Sequence, residues 1–349
     1  MRVLVAMSGG VDSSVAAALM VEGGHEVVGA TMKLWGGVGD SGCCSVADVE
    51  DARRAAEHLG LVHRVFNFTT DFEAHVVGPY VAAHAGGATP NPCIECNRHI
   101  KFGRFLERAR RLGFDAVATG HHARIVRRQV GKDRETLRLS RGVDGAKDQS
   151  YVLSMLDQAQ LARVLLPIGA MTKSEVRARA RALGLATASK PDSQDVCFIT
   201  STGGRREFLG GRGDLHPGLI IDGASGAEVG RVDAVELVTV GQRRGMGPGP
   251  AGGRRYAVDV DVDARVVTVG PESALMVNWV KVDRLGWSDQ PVPNGSQVLV
   301  QTSAHGQVTP ACLSGSTLVF EHPVRRIAPG QTVAIYHGDQ VLGSGIAES

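Results

Sequence analysis

Ser8-Gly9-Gly10-Val11-Asp12-Ser13-Ser14 follows directly on the apolar run Val3-Leu4-Val5-Ala6-Met7, and this junction constrains the chain more than any other feature. A short apolar run predicts a buried strand, Val15 and Leu19 continue one face of a helix, and a glycine-rich turn lies between them. Such a turn grips anions. Its glycines let backbone N–H groups approach closely, its serines add hydroxyl donors, and the following helix points its positive end at the same spot. Asp12 is a candidate Mg²⁺ ligand. No lysine follows Gly10 as it does in GxxxxGK[ST], so this is not the loop that holds ATP for γ-phosphoryl transfer. The plainer reading is a glycine turn opening an ordinary α/β unit.

At 349 residues the chain is long enough for roughly two or three domains, each with its own core. Short apolar runs at Arg2–Met7, Glu26–Met32, His63–Phe68 and Asp115–Thr119 alternate with helical spacings at Val46–Leu59, Phe72–Ala83 and Ile100–Leu112, the pattern of a parallel sheet. Gly78-Pro79 weakens the reading of the second of these as one unbroken helix. Beyond Cys197 the texture changes to glycine-rich turns and alternating strands at Tyr256–Val262, Arg265–Val269, Gln297–Gln301 and Thr332–Tyr336. The expectation is an α/β domain over 1–204, a small β-rich domain over 205–272 and a β-barrel over 273–349. Six cysteines are too few for a disulfide scaffold. Met1-Arg2 precedes only five apolar residues, and no run approaches the roughly 20 needed to span a bilayer. The chain reads as soluble and cytoplasmic, with no membrane segment.

Net charge is only +2, but residues 97–141 hold thirteen Lys or Arg against four Asp or Glu. Arg98, Lys101, Arg104, Arg108, Arg110, Arg111, Arg124, Arg127, Arg128 and Lys132 belong to this block. It is either a solvated face or a footprint for a phosphate backbone.

Thr89-Pro90-Asn91-Pro92-Cys93-Ile94-Glu95-Cys96-Asn97 sets a CxxC where a proline-stiffened loop meets a helix, whose N-terminus lowers a thiol pKa. Cys197 lies in the polar stretch Asp192-Ser193-Gln194-Asp195-Val196-Cys197-Phe198. Two separated thiols near an activated carbonyl permit sulfur transfer, one carrying a persulfide and the other resolving it as a disulfide. The alternatives are a zinc site, a metal cluster or buried structural cysteines; zinc usually takes four ligands, and only one CxxC is present. Cys43, Cys44 and Cys312 read as structural.

These segments, with Gly42-Cys43-Cys44-Ser45, Ile100-Lys101-Phe102, Ala118-Thr119-Gly120-His121-His122-Ala123-Arg124, Lys147-Asp148-Gln149-Ser150-Tyr151 and Val240-Gly241-Gln242-Arg243-Arg244-Gly245, resemble in order the tRNA-specific 2-thiouridylase family, from Arg2 to about Gly345. The glycine loop is similar to the SGGxDS loop of the wider ATP pyrophosphatases (PP-loop superfamily), which release pyrophosphate and leave AMP on a substrate. The resemblance implies a Rossmann-like domain of the adenine nucleotide alpha hydrolase kind, then a small β-rich domain and a C-terminal β-barrel. It implies an ATP- and Mg²⁺-dependent sulfurtransferase that adenylates the C2 oxygen of the wobble uridine and replaces it with sulfur. Ala6, Met7, Ser8, Gly9, Gly10, Val11, Asp12 and Ser13, with Met32 and Gly120, would bind ATP. Cys197 would carry the persulfide and Cys96 would be the second thiol. Asn91, Pro92 and Cys93 would meet the target base, while Lys147, Asp148, Gln149, His121 and Gln331 would touch tRNA. The partners implied are the tRNA anticodon stem-loop and a sulfur donor such as a cysteine desulfurase or relay protein, with the enzyme itself a monomer.

The chain departs from the family at two places. Cys93 stands where some members have an acidic residue, so Cys93, Cys96 and Cys197 could instead hold an iron–sulfur cluster, with no metal site expected beyond that and the Mg²⁺ that accompanies ATP. Gln301–Gly306 lacks the Arg-Tyr pair common in the family's last domain. His122 reads as structural, since no carboxylate or cysteine at ligand spacing accompanies the histidine pair. Trp35, Trp279 and Trp287 are scattered and form no base-stacking platform. Another ATP pyrophosphatase, such as an amide-forming ligase, is the rival enzyme class, which leaves Cys96 and Cys197 without a role; a nucleotide-binding, non-catalytic tRNA or redox module, with the loop intact but no turnover, is the third.

Overall fold

The computed structural model describes residues 1–35, 45–130, 134–192, 196–199, 204–249 and 252–348. Cys43, Cys44, Lys132 and the stretch Ser193-Gln194-Asp195 lie outside them.

Seven strands come from the first part of the chain: β1 (Arg2–Ala6), β2 (Glu26–Lys33), β3 (Val62–Asn67), β4 (Ala116–Ala118), β5 (Ala123–Val130), β6 (Arg134–Arg141) and β7 (Val164–Leu165). Five of them form a parallel sheet in the order β3-β2-β1-β4-β7. Its centre, β1, is apolar on both faces because both are covered. Val3 and Val5 pack with Val15, Ala52 and Val176 on one side, while Leu4 and Ala6 join Phe72, Phe102 and Phe105 on the other. The helix Val11–Glu22 leaves the end of β1 through the glycine turn.

The segment from Thr69 to Ala85 is helical through Gly78-Pro79. It does so by widening: Glu73–Val77 adopts i→i+5 spacing, and Pro79 falls in the first turn of the helix Gly78–Ala85, where its missing N–H costs nothing. A second wide stretch, Cys96–Phe105, directly follows the short helix Pro92–Glu95.

The later strands are β8 (Gly218–Asp222), β9 (Glu228–Val232), β10 (Tyr256–Asp261), β11 (Val266–Gly270), β12 (Met276–Trp287), β13 (Gln297–Gln301), β14 (Thr309–Ser314), β15 (Thr317–Arg325), β16 (Thr332–His337) and β17 (Gln340–Ala347). The first four form a small sheet in the order β10-β11-β8-β9. The last six run β12-β15-β14-β13-β16-β17 and close through β12 on β17 into a barrel.

β5 and β6 belong to neither expected element. They form a hairpin that leaves the parallel sheet and extends the barrel sheet beside β17, Ser140 pairing with Gln340. Half of the basic block is therefore β-ribbon. Ile125, Leu137 and Leu139 pack inward on a core shared with Tyr336 and Val341 of the barrel, while Arg124 bonds Asp339 and Arg127 bonds Glu135. The first domain and the barrel are thus joined by one continuous apolar cluster.

Candidate functional site

The glycine loop is tied from within. Ser8 N–H donates to Ser13 Oγ at 3.2 Å, and the Ser13 and Ser14 hydroxyls donate to the Gly10 carbonyl at 3.0 and 2.9 Å. The N–H groups of the first helical turn have no intrahelical acceptor, which suits the end of this helix to an anion. Two glycines are required by contact. At Gly9, where φ is +74°, a Cβ would stand 2.2 Å from the Asp48 carbonyl oxygen; at Gly120 it would stand 2.6 Å from the Asp12 carbonyl carbon and the Ser13 nitrogen. The second motif thus lies directly against the first. Ala6, Met7, Val11 and Ser13 are buried beneath the loop and Met32 is half-buried in β2.

Asp12 faces a cation. Lys173 Nζ lies 2.8 and 2.7 Å from its two carboxylate oxygens, and His122 Nε2 lies 3.2 Å from one of them. Burial opposes ionisation of Asp12, but the hydrogen bonds to His122 and Lys173 outweigh it and hold the carboxyl below the usual aspartate value. Lys173 also reaches Asp192 Oδ1 at 2.8 Å, and Asp192 accepts from Arg177 at 2.8 Å and Lys147 at 2.7 Å. Burial again opposes ionisation, yet Lys147 and Lys173 drive the Asp192 pKa far down. His122 N–H donates to Gln149 Oε1 at 2.8 Å, and Gln149 N–H donates to the His122 carbonyl at 2.9 Å. A closed ring results: Asp12, His122, Gln149, the chain back to Lys147, Asp192 and Lys173. It binds the glycine loop to the 147–149 segment and to the residue at which the Cys197 segment begins.

Sequence reasoning missed Lys173, Arg177 and the anchoring role of Asp192, and it read His122 as structural only. One signal was available. Thr172-Lys173-Ser174-Glu175 forms a capping box, Thr172 and Glu175 satisfying each other's backbone, so Lys173 sits at the first helical position. A cation there opposes the helix dipole, a placement that needs a tertiary reason.

The expected RNA-contact residues are mostly turned inward. Asp148 accepts from Arg141, Gly142 N–H and Ser150, with its side chain 5% exposed. His121 is buried, 2.7 Å from Thr119 Oγ1, and burial together with Lys101 and His122 pushes its pKa well down, so the ring is neutral. Gln331 Nε2 donates to the Thr89 carbonyl.

Asn91 caps the helix Pro92–Glu95, its side-chain oxygen accepting from Cys93 N–H at 3.0 Å. Cys93 is exposed and Cys96 buried. Cys197 is half-buried and packs on the same apolar cluster to which Cys96 belongs. Its neighbour Phe198 is the anchor, with its ring centroid 5.6 Å from Phe72, 5.5 Å from Tyr80 and 4.9 Å from Phe208. Cys96 and Cys197 thus border one continuous apolar cluster. Among the described residues no group of three His, Cys, Asp or Glu side chains is placed to hold a metal.

Family comparisons divide the chain as the fold does. Residues 1–201 match the family described as tRNA methyl transferase HUP domain, 206–271 its PRC-barrel domain, and 279–347 an aminomethyltransferase β-barrel domain. The chain is 47% identical over 356 residues to the tRNA-specific 2-thiouridylase MnmA of Chloroflexus aurantiacus, covering 99% of this chain and 97% of that one. It is 45% identical to the protein of that name from Roseiflexus sp., covering 99% and 98%, and 47% identical to that of Acidothermus cellulolyticus, covering 99% and 96%.

Proposed function

The chain belongs to the tRNA-specific 2-thiouridylase family, and we propose that it uses ATP to activate the C2 oxygen of the wobble uridine in tRNA and replaces it with sulfur carried on Cys197. The observation that carries this reading is the ring of ion pairs and hydrogen bonds from Asp12 through Lys173 to Asp192. It joins a loop built for phosphate to the segment that leads to a thiol, an arrangement for which an amide-forming ligase has no use.

ATP is the first substrate. Ser8 to Ser13 fit its phosphates, because Gly9 and Gly120 leave only backbone and hydroxyl donors around the helix end. Mg²⁺ fits the same place: it commonly takes one or two carboxylates plus substrate phosphates, and Asp12 is the carboxylate there. When bound it offsets negative charge on the departing pyrophosphate. The uridine C2 oxygen attacks the α-phosphorus and the bond to pyrophosphate breaks, leaving AMP on the oxygen. Lys173 and the loop N–H groups stabilise the charge that moves onto pyrophosphate.

Sulfur follows. The terminal sulfur of a Cys197 persulfide attacks C2, and the C2–O bond breaks with release of AMP. Cys96 thiolate then attacks Cys197 Sγ, breaking the persulfide S–S bond and leaving the sulfur on C2 as a thiocarbonyl. The two thiols are oxidised to a Cys96–Cys197 disulfide and the transferred sulfur is reduced. An external thiol reductant resets the pair, and a persulfide-carrying protein, such as a cysteine desulfurase or relay protein, reloads Cys197. Asn91, Pro92 and Cys93 receive the base, which leaves its stack at low cost in an anticodon loop. His121, Gln331 and the 147–149 segment shape the RNA site from inside, Asp148 through the fold. The enzyme acts as a monomer in the cytoplasm, with domains over 1–204, 205–272 and 273–349; among the described residues no helix is long and apolar enough to cross a membrane.

The test is to incubate unmodified tRNA with the protein, Mg²⁺, ATP and a persulfide donor, then identify the nucleosides by mass spectrometry. The expected product is 2-thiouridine, with one AMP and one pyrophosphate per sulfur. Pyrophosphate release stimulated by an amino acid or ammonia, and not by tRNA, would instead identify a ligase.

A further inference from the structure

The loop that carries the dithiol is held by the last domain. Thr89 N–H donates to the Pro329 carbonyl at 2.8 Å, and the Thr89 carbonyl accepts from Gln331 Nε2. Both polar groups of one backbone residue are therefore satisfied by one barrel turn, Ala328–Gln331. That turn is itself fixed. Gly330 N–H donates to the Ala347 carbonyl at 3.1 Å, and Ala347 N–H donates to the Gln331 carbonyl at 2.8 Å, which anchors it to β17. Gly330 has φ +85°, and a Cβ there would stand 3.1 Å from Ala88 Cβ and 3.2 Å from Thr89 N, so the two backbones are as close as glycine allows. The middle domain meets the same residue, Thr89 Oγ1 lying 3.5 Å from Thr239 Oγ1.

From Thr89 the chain to the thiols is short and stiff. Pro90 and Pro92 fix their own φ angles, and Asn91 caps the helix by accepting from Cys93 N–H. Little freedom remains between the barrel turn and Cys96. A resemblance in sequence assigns Gln331 to the RNA; in the fold its side-chain amide donates to the protein's own backbone.

We propose that Gln331 is a positioning residue that sets the location of the Cys93–Cys96 dithiol from the C-terminal barrel. The barrel is then a part of the sulfur-transfer machinery and more than an RNA-binding appendage. What the dithiol does rests on the function proposed above; that Gln331 holds it in place does not.

The experiment uses the full chain and two variants, Gln331→Glu, which cannot donate to a carbonyl, and Gln331→Lys, which can. Iodoacetamide labelling rates of Cys93 and Cys96 are read by peptide mass spectrometry, with Cys312 in β14 as an internal monitor of barrel integrity. Gln331→Glu should label buried Cys96 about tenfold faster than the parent, as expected for one lost hydrogen bond, while Gln331→Lys stays near the parent rate and Cys312 is unchanged in both. Should Gln331→Glu also speed Cys312, the Gln331→Lys protein with its barrel intact decides: parent-like Cys96 labelling supports positioning. In thiolation assays Gln331→Glu should lower kcat at saturating tRNA, with tRNA Kd within about twofold of the parent, since a positioning loss acts on the bound complex. Unchanged Cys96 labelling in Gln331→Glu overturns the proposal, whatever happens to tRNA affinity. Because labelling needs no turnover, a parent protein that makes no 2-thiouridine would sink the functional reading and leave this test standing.

Discussion

Lys173 and Asp12 form a two-point ion pair, Nζ lying 2.8 and 2.7 Å from the two carboxylate oxygens across 161 residues of chain. The glycine loop has no lysine of its own, and this pair supplies the missing cation from a distant helix. The ammonium is nearly buried and is shared with Asp192, so it is fixed beside the glycine loop by the fold.

Lys173→Met should lower tRNA-dependent pyrophosphate release by about 10²-fold, the usual scale for removing one preorganised electrostatic contact. Lys173→Arg keeps the charge and should recover a large part of that loss. Release measured by a coupled assay checks both, and a Met variant as active as the parent would remove Lys173 from the chemistry.

Gly9→Ala and Gly120→Ala should each abolish measurable ATP binding by calorimetry. The first combines a left-handed backbone with a 2.2 Å approach to the Asp48 carbonyl, and the second pushes on the backbone of Asp12 and Ser13 at 2.6 Å. Gly10→Ala meets only Ser8 Oγ at 3.6 Å, so it should retain a fold close to the parent's by circular dichroism.

His84 predicts a pH dependence of stability. Its ring is buried against Tyr80 at a 4.5 Å centroid distance, and burial first, then Arg205, pushes its pKa from 6.5 down to about 4. The folded state thus binds this proton less readily than the unfolded chain does. The associated stability is complete above 6.5 and is lost as pH falls toward about 4. Denaturant midpoints measured across that range should fall for the parent and fall less steeply for His84→Phe, which also removes the buried unpartnered Nε2.

Arg108 should contribute to tRNA binding more simply than Arg104. Arg104 is already engaged by Asp71 at 2.8 Å and Glu107 at 3.6 Å, whereas Arg108 rests over the Phe66 ring at 5.6 Å. Arg108→Glu is expected to weaken tRNA binding and to reduce the slope of log affinity against log salt by about 1 or more. Filter binding over a salt series checks it; an unchanged slope would leave the block a solvated face.

The glycine loop, the parallel sheet and the barrel were legible because each rests on local chemistry: an apolar run, a turn that needs glycine, alternating strands. The hairpin of β5 and β6 was not, because Arg124, Arg127, Arg128, Arg138 and Arg141 dominate its composition and mask the inward alternation of Ile125, Leu137 and Leu139. Lys173 was illegible for a different reason. Its partners Asp12 and Asp192 are distant in sequence, and only the packing of the helix Lys173–Ala182 beside Val11–Glu22 brings them together. The thiols were singled out by their motifs, but that Phe198 anchors the Cys197 segment on Phe72 and Tyr80 is a tertiary fact that no spacing records.

The most direct test of the thiol chemistry is Cys197→Ser assayed for two products at once. The account predicts tRNA-dependent release of pyrophosphate with no 2-thiouridine, because activation at the Asp12 loop precedes a sulfur step that the variant cannot perform. 2-Thiouridine formed by Cys197→Ser at the parent's rate would contradict it.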